Sequence, residues 1–297
     1  MVAAPPLWHD RSRSGPWRMI TEGAPAPAPS RPSSPRARRP DRRWRVEPLI
    51  TAATLAAIVL LWFYVAQHHL VSELFVPAPP NVWLAFTETL VDGYRGHSLL
   101  EHLWASLGRV LMAFVGAALV AVPLGLAIGV SSKIAAVFDP LIEFYRPLPP
   151  LAYYTLLVLW FGIDNRSKVL LLFLAAFPPL VISAASGVRG VREVWINGAR
   201  SLGASRWQTF RYVIFPACLP DIFTGLRVAI GFTYTTLVAA EMVAAVDGIG
   251  WMVLDASKFL QSDIIFMGIL VMGLTGMLLD RVIRIAERRV VPWRGKA

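Results

Sequence analysis

The sequence is poor in cysteine and in charge. One cysteine, Cys218, stands among 297 residues, so the chain has neither an internal disulfide nor a metal site built from several cysteines. Only 16% of the residues are charged, against the roughly 25% usual in soluble domains, whereas 56% are hydrophobic. This composition predicts a protein of the lipid bilayer.

Motifs of several enzyme classes are also missing. The chain contains no Gly-x-x-x-x-Gly-Lys-Ser/Thr, His-Glu-x-x-His, Cys-x-x-Cys or Gly-x-Ser-x-Gly string. It therefore has no P-loop for ATP phosphates, and we expect no catalytic residue, cofactor or metal on this chain. Histidines stand in or beside one predicted loop, where they are commonplace and metal ligation is disfavoured: His68, His69, His97 and His102.

Apolar runs of membrane-spanning length are present. Roughly 20 residues, each rising 1.5 Å, cross about 30 Å of hydrocarbon. We predict an all-α, polytopic bundle of six transmembrane helices, formed by residues 49–67, 110–130, 147–163, 169–188, 214–246 and 264–279. Gly125 and Gly129, spaced as Gly-x-x-x-Gly, favour close packing between two of these helices.

Basic residues concentrate at both ends of the chain. Residues 1–48 carry ten arginines and four acids, and residues 280–297 carry six basic and two acidic groups, so the tails hold the whole net charge of +10. Because positively charged segments stay in the cytoplasm, we predict that the N- and C-termini are both cytoplasmic, as an even number of spans permits. Topology explains the basic charge, and nucleic-acid binding is not expected.

The chain divides into two predicted parts. Residues 1–46 are rich in proline and arginine and cannot bury enough surface to fold, so we expect a disordered basic cytoplasmic tail. No apolar segment precedes residue 49, which argues against a cleaved signal peptide. Residues 47–297 form the predicted transmembrane domain, with a cytoplasmic loop at 189–216 that carries five arginines.

Five ionisable side chains are predicted at membrane depth: Arg109, Glu143, Arg146, Arg227 and Glu241. Charges there are costly, so each is expected to face the bundle interior or a water-filled cavity, often with a partner. Arg109 and Arg227 lie near span ends, and we expect them to snorkel to the interface. Glu143, Arg146 and Glu241 are candidate residues of a translocation pathway, with a structural ion pair as the alternative.

Prolines interrupt two of the predicted spans. Pro147, Pro149 and Pro150 stand at the start of one, and Pro178 and Pro179 lie inside another. Each proline frees a backbone carbonyl, which a neighbouring helix, a hydroxyl or water in a cavity has to satisfy. Broken helices of this kind line transport routes, and kinked packing helices are the alternative.

The loop "GARSLGASRWQTFRYVIFP", residues 198–216, predicts two short helices. Gly203 interrupts what is otherwise one helical pattern, because glycine costs about 1 kcal/mol relative to alanine there. Apolar residues recur at three- and four-residue spacing on both sides of it, and arginines occupy the other face: Arg192, Arg200, Arg206 and Arg211. Such a hairpin fits either an anionic lipid surface or the groove of a cytosolic protein.

The same loop resembles the cytoplasmic signature of permease subunits of bacterial ATP-binding-cassette importers, Glu-Ala-Ala, three residues, Gly, nine residues, Ile-x-Leu-Pro. The corresponding positions here hold Asn197, Gly198, Ala199, Gly203, Val213, Phe215 and Pro216, with Leu202 and Ala204 beside the glycine. Asn197 and Gly198 depart from the pattern. In the family this segment forms the coupling helices that contact the ATPase subunit, so the resemblance implies that role for these residues.

The resemblance extends over nearly all of the chain after residue 46. The string "EFYRPLPPLAYYTLLVLWFGI" is most similar to taurine permeases, within a branch that also serves other alkanesulfonates and nitrate. The resemblance implies a type I importer permease fold in the bacterial inner membrane, in contact with membrane lipids. It also implies a homodimer with two ATPase subunits, which hold ATP and Mg, and an external taurine- or sulfonate-binding protein.

Two other classes of function fit the sequence less well. A stand-alone secondary transporter driven by an ion gradient predicts inverted repeats and a coupling acid at membrane depth, and no such repeat is visible. A membrane-bound enzyme requires a catalytic set that the motifs do not supply. The sequence therefore favours a non-catalytic permease subunit that works by alternating access.

Overall fold

The computed structural model describes residues 47–294, in which α-helices and one π-helix follow one another without a β-strand. The predicted tail, residues 1–46, lies outside this range. In order, the elements are α1 Glu47–Gln67, α2 Pro79–Val91, α3 Leu99–Val130, α4 Ser132–Tyr145, α5 Pro150–Phe161, α6 Asn165–Arg189, α7 Glu193–Ser201, α8 Arg206–Thr209, the π-helix Phe210–Ile214, α9 Phe215–Ala244, α10 Ile249–Lys258 and α11 Ser262–Val290. The predicted all-α class is confirmed.

Within residues 47–294, five helical stretches are long and apolar enough to cross a membrane: Leu49–Gln67, Leu99–Val130, Asn165–Arg189, Arg206–Val243 and Ser262–Val290. The sixth predicted segment, 147–163, contains the apolar helix α5, whose 12 residues rise only about 18 Å. Two further short helices, α2 and α10, lie in segments that hydropathy assigned to loops. The membrane side of each terminus stays a prediction.

The helix α3 begins eleven residues before the apolar run that predicted it. The side chain of Ser98 accepts the N–H of Glu101 at 3.3 Å, and the Glu101 carboxylate accepts the N–H of Ser98 at 2.8 Å. This reciprocal capping box satisfies two of the free amides that every helix start leaves. The cap, rather than the apolar run, therefore sets the start of α3 at Leu99.

Small residues bring α3 against α6. Ala113, Ala117, Ala121 and Gly125 recur every fourth position on α3 and are buried, so they form one narrow stripe. A Cβ added at Gly125 would lie 2.5 Å from the carbonyl oxygen of Val181 on α6. At Gly129, one turn further, an added Cβ would lie 2.5 Å from a side-chain carbon of α6. The predicted role of both glycines in close packing is confirmed.

The paired prolines of α6 do not break that helix. Pro178 has no N–H, so the carbonyl of Leu174, four residues earlier, loses its intrahelical donor. The hydroxyl of Tyr145, at the end of α4, donates to that carbonyl at 3.3 Å. A hydroxyl from a neighbouring helix therefore satisfies the freed backbone group, one of the three solutions expected from the sequence, and joins α4 to the middle of α6.

Candidate functional site

The segment between α6 and α9 forms a helical hairpin, residues 193–214. Its first arm, α7, ends at Ser201, and Gly203 follows with φ of +84°, a conformation that side chains with a Cβ rarely adopt. The N–H of Gly203 donates to the carbonyl of Arg200 at 2.9 Å, and that of Ala204 donates to Ala199 at 3.1 Å. Glycine thus closes α7, and the predicted helix, turn, helix arrangement is confirmed.

The second arm of the hairpin joins α9 without a break. Ser205 and Gln208 cap its start reciprocally: the Ser205 side chain accepts the N–H of Gln208 at 3.3 Å, and the Gln208 side chain accepts the N–H of Ser205 at 2.8 Å. The chain then passes through α8 and the π-helix into α9. Sequence periodicity did not indicate the π-helix, because a single wide turn leaves no recurring pattern.

The hairpin presents apolar side chains that this chain leaves uncovered. Leu202 is 90% exposed and Trp207 is 69% exposed. Among the signature positions, Asn197, Gly198 and Gly203 are exposed, whereas Ala199, Ala204, Val213, Phe215 and Pro216 are half-buried. An exposed apolar surface interspersed with arginines is typical of a contact with another protein.

A buried ion pair joins α3 to α9. Nη1 of Arg109 lies 2.6 Å from Oε1 of Glu241, and the two side chains are 2% and 0% exposed. Nε of Arg109 donates to Oδ1 of Asn165 on α6 at 2.8 Å, and its Nη2 contacts the carboxylate of Asp247. The prediction that Arg109 snorkels to the interface is wrong. Because α3 begins at Leu99, Arg109 lies about three turns inside the helix and faces its neighbours.

The carboxylate of Glu241 also holds the start of α10. Three successive backbone N–H groups there are bonded to α3 or α9: Gly248 to Nδ1 of His102 at 3.1 Å, Ile249 to Oγ of Ser106 at 3.0 Å, and Gly250 to Oε2 of Glu241 at 2.9 Å. Ser106 itself donates to Glu241 at 2.8 Å. The buried carboxylate is thus surrounded by donors, as a buried charge requires.

Gly248 permits this arrangement by lacking a side chain. Its φ is +110° and its ψ is 160°, a region that glycine alone occupies readily. A Cβ added at this position would lie 2.4 Å from Cδ of Glu241. The backbone of residue 248 therefore passes directly over the buried carboxylate, and only glycine fits there.

A second polar cluster fixes the loop before α3 to α10. The hydroxyl of Tyr94 donates to Oδ2 of Asp255 at 3.0 Å, and Nε of Arg95 lies 3.0 Å from the same oxygen. Burial, followed by the neighbouring Asp255, raises the pKa of Tyr94, so the phenol stays protonated and remains a donor. Together with the bonds to Gly248, this cluster attaches both ends of α10 to the region around the start of α3.

Arg227 also has a carboxylate partner. Its Nε lies 3.0 Å from Oδ1 of Asp280 on α11, and both side chains are half-buried. Arg227 thus joins α9 to α11, and its expected position at the membrane interface stays a prediction. No group of three or more histidine, cysteine, aspartate or glutamate side chains suited to a metal lies within residues 47–294.

Glu143 and Arg146 lie beside two adjoining cavities next to α4. The larger cavity, of about 330 Å³, lies between the end of α4 and helices α5, α6 and α9, and Arg146, Tyr153 and Ser183 line it. The smaller, of about 150 Å³, is lined by Glu143, Arg146 and the half-exposed ion pair of Asp139 and Arg189. Arg146 lines both cavities and is the cation at their junction.

The lining of the larger cavity is mainly apolar, with a few polar groups and one charged side chain, Arg146. It combines the guanidinium of Arg146 with the hydroxyl of Ser183, and an aromatic face comes from Phe232. The hydroxyls of Tyr145 and Tyr153 are bonded to each other, and that of Tyr145 also to the carbonyl of Leu174. Guanidinium and hydroxyl groups bind oxyanions, whereas aromatic faces attract cations. Pro178 and Pro179 line the same cavity, and their role in a transport route stays a prediction. The arrangement can hold an anion or a zwitterion without enclosing it.

The structure thus separates the three candidate pathway residues. Glu143 and Arg146 lie together at the cavities, whereas Glu241 lies in the buried ion pair, the alternative that the sequence left open. A pathway role for any of them stays a prediction.

Sequence reasoning missed Ser106 and Asp247 as partners of Arg109 and Glu241. Ser106 stands three positions before Arg109, so the two share a helix face, but Asp247 carried no signal.

Known proteins resemble the chain along most of its length. Residues 121–292 match the family described as binding-protein-dependent transport system inner membrane component. The chain is 44% identical over 262 residues to the taurine transport system permease protein TauC of Escherichia coli (strain K12), covering 87% of this chain and 95% of that protein. It is 34% identical over 239 residues to the putative aliphatic sulfonates transport permease protein SsuC of Bacillus subtilis (strain 168), covering 80% and 85%.

Two further likenesses widen the comparison. The nitrate import permease protein NrtB of Leptolyngbya laminosa is 35% identical over 203 residues, covering 67% of this chain and 73% of that protein. A solved structure of the MetNI methionine ABC transporter in inward facing conformations aligns with a TM-score of 0.51 at 15% identity, covering 63% of this chain and 95% of that chain. At that identity the structural likeness concerns the fold alone.

Proposed function

Since the chain belongs to the family of binding-protein-dependent transport system inner membrane components, we propose that it forms the membrane path for taurine in an ATP-binding-cassette importer. It is a multi-pass permease subunit of the inner membrane and not an enzyme. The alternative of a stand-alone secondary transporter conflicts with a family whose members depend on binding proteins. In the proposed assembly, two copies of the chain work with two ATPase subunits and a taurine-binding protein.

One observation carries the choice of substrate class: Arg146 lies at the junction of two cavities, with Glu143 in one and the hydroxyl of Ser183 in the other. Taurine is a zwitterion with a sulfonate and an ammonium group. Arg146 supplies a partner for the sulfonate, and Glu143 or the aromatic rings of the larger cavity supply partners for the ammonium. Open cavities give weak binding, which suits a route that has to release its cargo in each cycle.

The hairpin of residues 193–214 is the proposed contact with the ATPase subunits. Its exposed apolar side chains, including Leu202 and Trp207, lack a cover within the described chain and so are available to a partner. The second arm continues into α9, so a displacement of the hairpin by the ATPase reaches the bundle directly. This continuity supports alternating access driven from the hairpin.

The test of substrate is uptake by the complete transporter in proteoliposomes, with Arg146→Gln compared against Lys133→Gln. Lys133 is exposed, lies on α4 as well, and does not line either cavity, so it controls for the loss of one positive charge. We expect Arg146→Gln to reduce taurine uptake about ten-fold or more, as loss of a hydrogen bond to a charged group does. Normal uptake by Arg146→Gln would remove this cavity from the route.

A second experiment distinguishes taurine from nitrate and from other alkanesulfonates, the substrates that appear in the names of relatives of this chain. Hydrolysis of ATP is measured after addition of binding proteins loaded with each compound. The proposal predicts acceleration by the taurine-loaded protein. Glu143→Gln should lower taurine uptake more than uptake of a simple anion, because only taurine carries an ammonium group. Acceleration only by a protein loaded with nitrate or with another alkanesulfonate would exclude taurine.

A further inference from the structure

A cavity of about 360 Å³, apart from the proposed substrate route, lies at the C-terminal end of α11. Four arginines from three segments line it: Arg227 of α9, Arg284 and Arg288 of α11, and Arg294 of the turn that follows. The hydroxyl of Thr224 accepts from Nη2 of Arg294 at 3.2 Å, which holds that turn against α9. The arginines therefore converge through the fold and do not merely follow one another along the sequence.

The cavity carries a surplus of positive charge. Asp280 contacts both Arg227 and Arg284, and Glu287 contacts Arg294. Four guanidinium groups thus stand against two carboxylates, which leaves a surplus of two positive charges. An anion is the ligand that this balance favours, because it neutralises the surplus that the carboxylates leave.

Arg288 is the group best placed to hold such an anion. It lines the cavity, it is exposed, and the described residues 47–294 give it no ion-pair partner. Its planar fork of N–H donors matches the oxygens of a phosphate, to which arginine binds in a bidentate manner. The chemistry of the cavity is therefore that of a phosphate group.

The depth of the cavity matches the level of phospholipid headgroups. Ser262 begins α11, and Arg284 follows 22 positions later, about 33 Å along the helix axis, compared with about 30 Å for the hydrocarbon of a bilayer. The turns of α11 before the cavity expose large apolar side chains to their surroundings: Leu274, Met277, Leu278, Val282 and Ile285. A ligand with acyl chains can lie along this face while its phosphate occupies the cavity.

We propose that this cavity binds the headgroup phosphate of an anionic phospholipid, with Arg284 and Arg288 as its main ligands. Basic pockets between transmembrane helices bind anionic headgroups in this manner, and each arginine near the surface strengthens the attraction. The proposal does not depend on taurine as the substrate, because it concerns a separate cavity.

The test uses the purified complete transporter in detergent and counts bound phosphatidylglycerol or phosphatidylcholine by native mass spectrometry. The double variant Arg284→Gln/Arg288→Gln is compared with Arg281→Gln/Arg289→Gln. Both remove two positive charges from the last turns of α11, but Arg281 and Arg289 do not line the cavity. We expect the cavity variant to retain phosphatidylglycerol roughly 10- to 30-fold more weakly, and the control to stay near the unmodified protein.

The single variant Arg288→Gln separates loss of lipid binding from a folding defect. Arg288 lacks an ion-pair partner among the described residues, so its substitution breaks no ion pair. It should weaken phosphatidylglycerol retention about five-fold, with assembly unchanged. Equal losses in both double variants would overturn the proposal in favour of general surface charge. If the cavity retained inorganic phosphate as tightly as the lipid, the assignment of the bound phosphate to a phospholipid would be wrong. Loss of the ATPase subunits with unchanged lipid retention would assign the cavity to a protein contact instead.

Discussion

Nη1 of Arg109 lies 2.6 Å from Oε1 of Glu241, although 132 positions separate the two residues in the sequence. Both are buried, and the backbone amide of Gly250 and the hydroxyl of Ser106 complete the environment of the carboxylate. The contact joins α3, α9 and the start of α10. Removal of Arg109 takes the cation away from the buried Glu241 carboxylate, which costs about 3–5 kcal/mol, whereas removal of Glu241 leaves Arg109 in contact with Asp247.

A double-mutant cycle measures the strength of that contact. Arg109→Gln and Glu241→Gln are each expected to lower the free energy of unfolding, and the double variant should lose less than the sum, with a coupling energy of about 1–3 kcal/mol. Thermal unfolding of the purified protein in detergent gives the four values. The matched control is the half-exposed pair of Arg189 and Asp139, for which the coupling should be below about 1 kcal/mol. Equal couplings for the two pairs would contradict the structural role of burial.

Substitution of Gly248 tests how closely the backbone passes over Glu241. Gly248→Ala should destabilise the protein by about 1–3 kcal/mol, because alanine is strained at φ of +110° and its Cβ would meet the carboxylate. Gly231→Ala is the control, since Gly231 lies inside α9 with nothing within 4 Å of an added Cβ. That change should be neutral or stabilise by up to about 1 kcal/mol. Melting temperatures that fall alike in both variants would refute this account of residue 248.

Contact between the hairpin and the ATPase is tested by copurification. Leu202→Glu places a charge on a side chain that is 90% exposed, so we expect normal insertion but about ten-fold less ATPase subunit bound to the purified permease. Two further variants of the hairpin, Ala199→Glu and Gly203→Val, should abolish uptake. At residue 203 the reason is the left-handed φ, where valine costs about 1–2 kcal/mol.

Leu100→Glu is the matched control for Leu202→Glu. Leu100 is an exposed leucine in the first turn of α3, at the other end of that helix from the residues that pack near the hairpin. Its substitution should leave the bound ATPase unchanged. If Leu202→Glu retains the ATPase as well as Leu100→Glu does, the hairpin is not the contact.

Much of the fold could be predicted because it depends on local patterns. Apolar length identified the helices, and the Gly-x-x-x-Gly spacing identified the packing of Gly125 and Gly129 on α6. Gly203 marked the turn of the hairpin, since a left-handed residue there needs glycine. In each case the residues that decide the structure lie within a few positions of one another.

The environment of Arg109 could not be predicted in the same way. Its position near the end of an apolar run favoured snorkelling, but its partners come from α6, α9 and the start of α10. Hydropathy also placed the start of the helix too late, because the capping box at Ser98 consists of polar residues. Tertiary contacts also decide where the three candidate pathway residues lie. Glu143 and Arg146 line the cavities, whereas Glu241 lies in the ion pair, and local sequence patterns do not distinguish these positions.

The unbroken helix from Arg206 to Val243 has a mechanical consequence. Its 38 residues extend about 57 Å, with the hairpin at one end and Glu241 close to the other. The stretch includes the π-helix and Pro220, where helices bend most readily. Moved as one body, it would amplify small rotations, because a tilt of about 10° about the hairpin end displaces the far end by about 10 Å. The buried pair of Arg109 and Glu241 lies near the far end of this stretch, where such a tilt would produce the largest displacement.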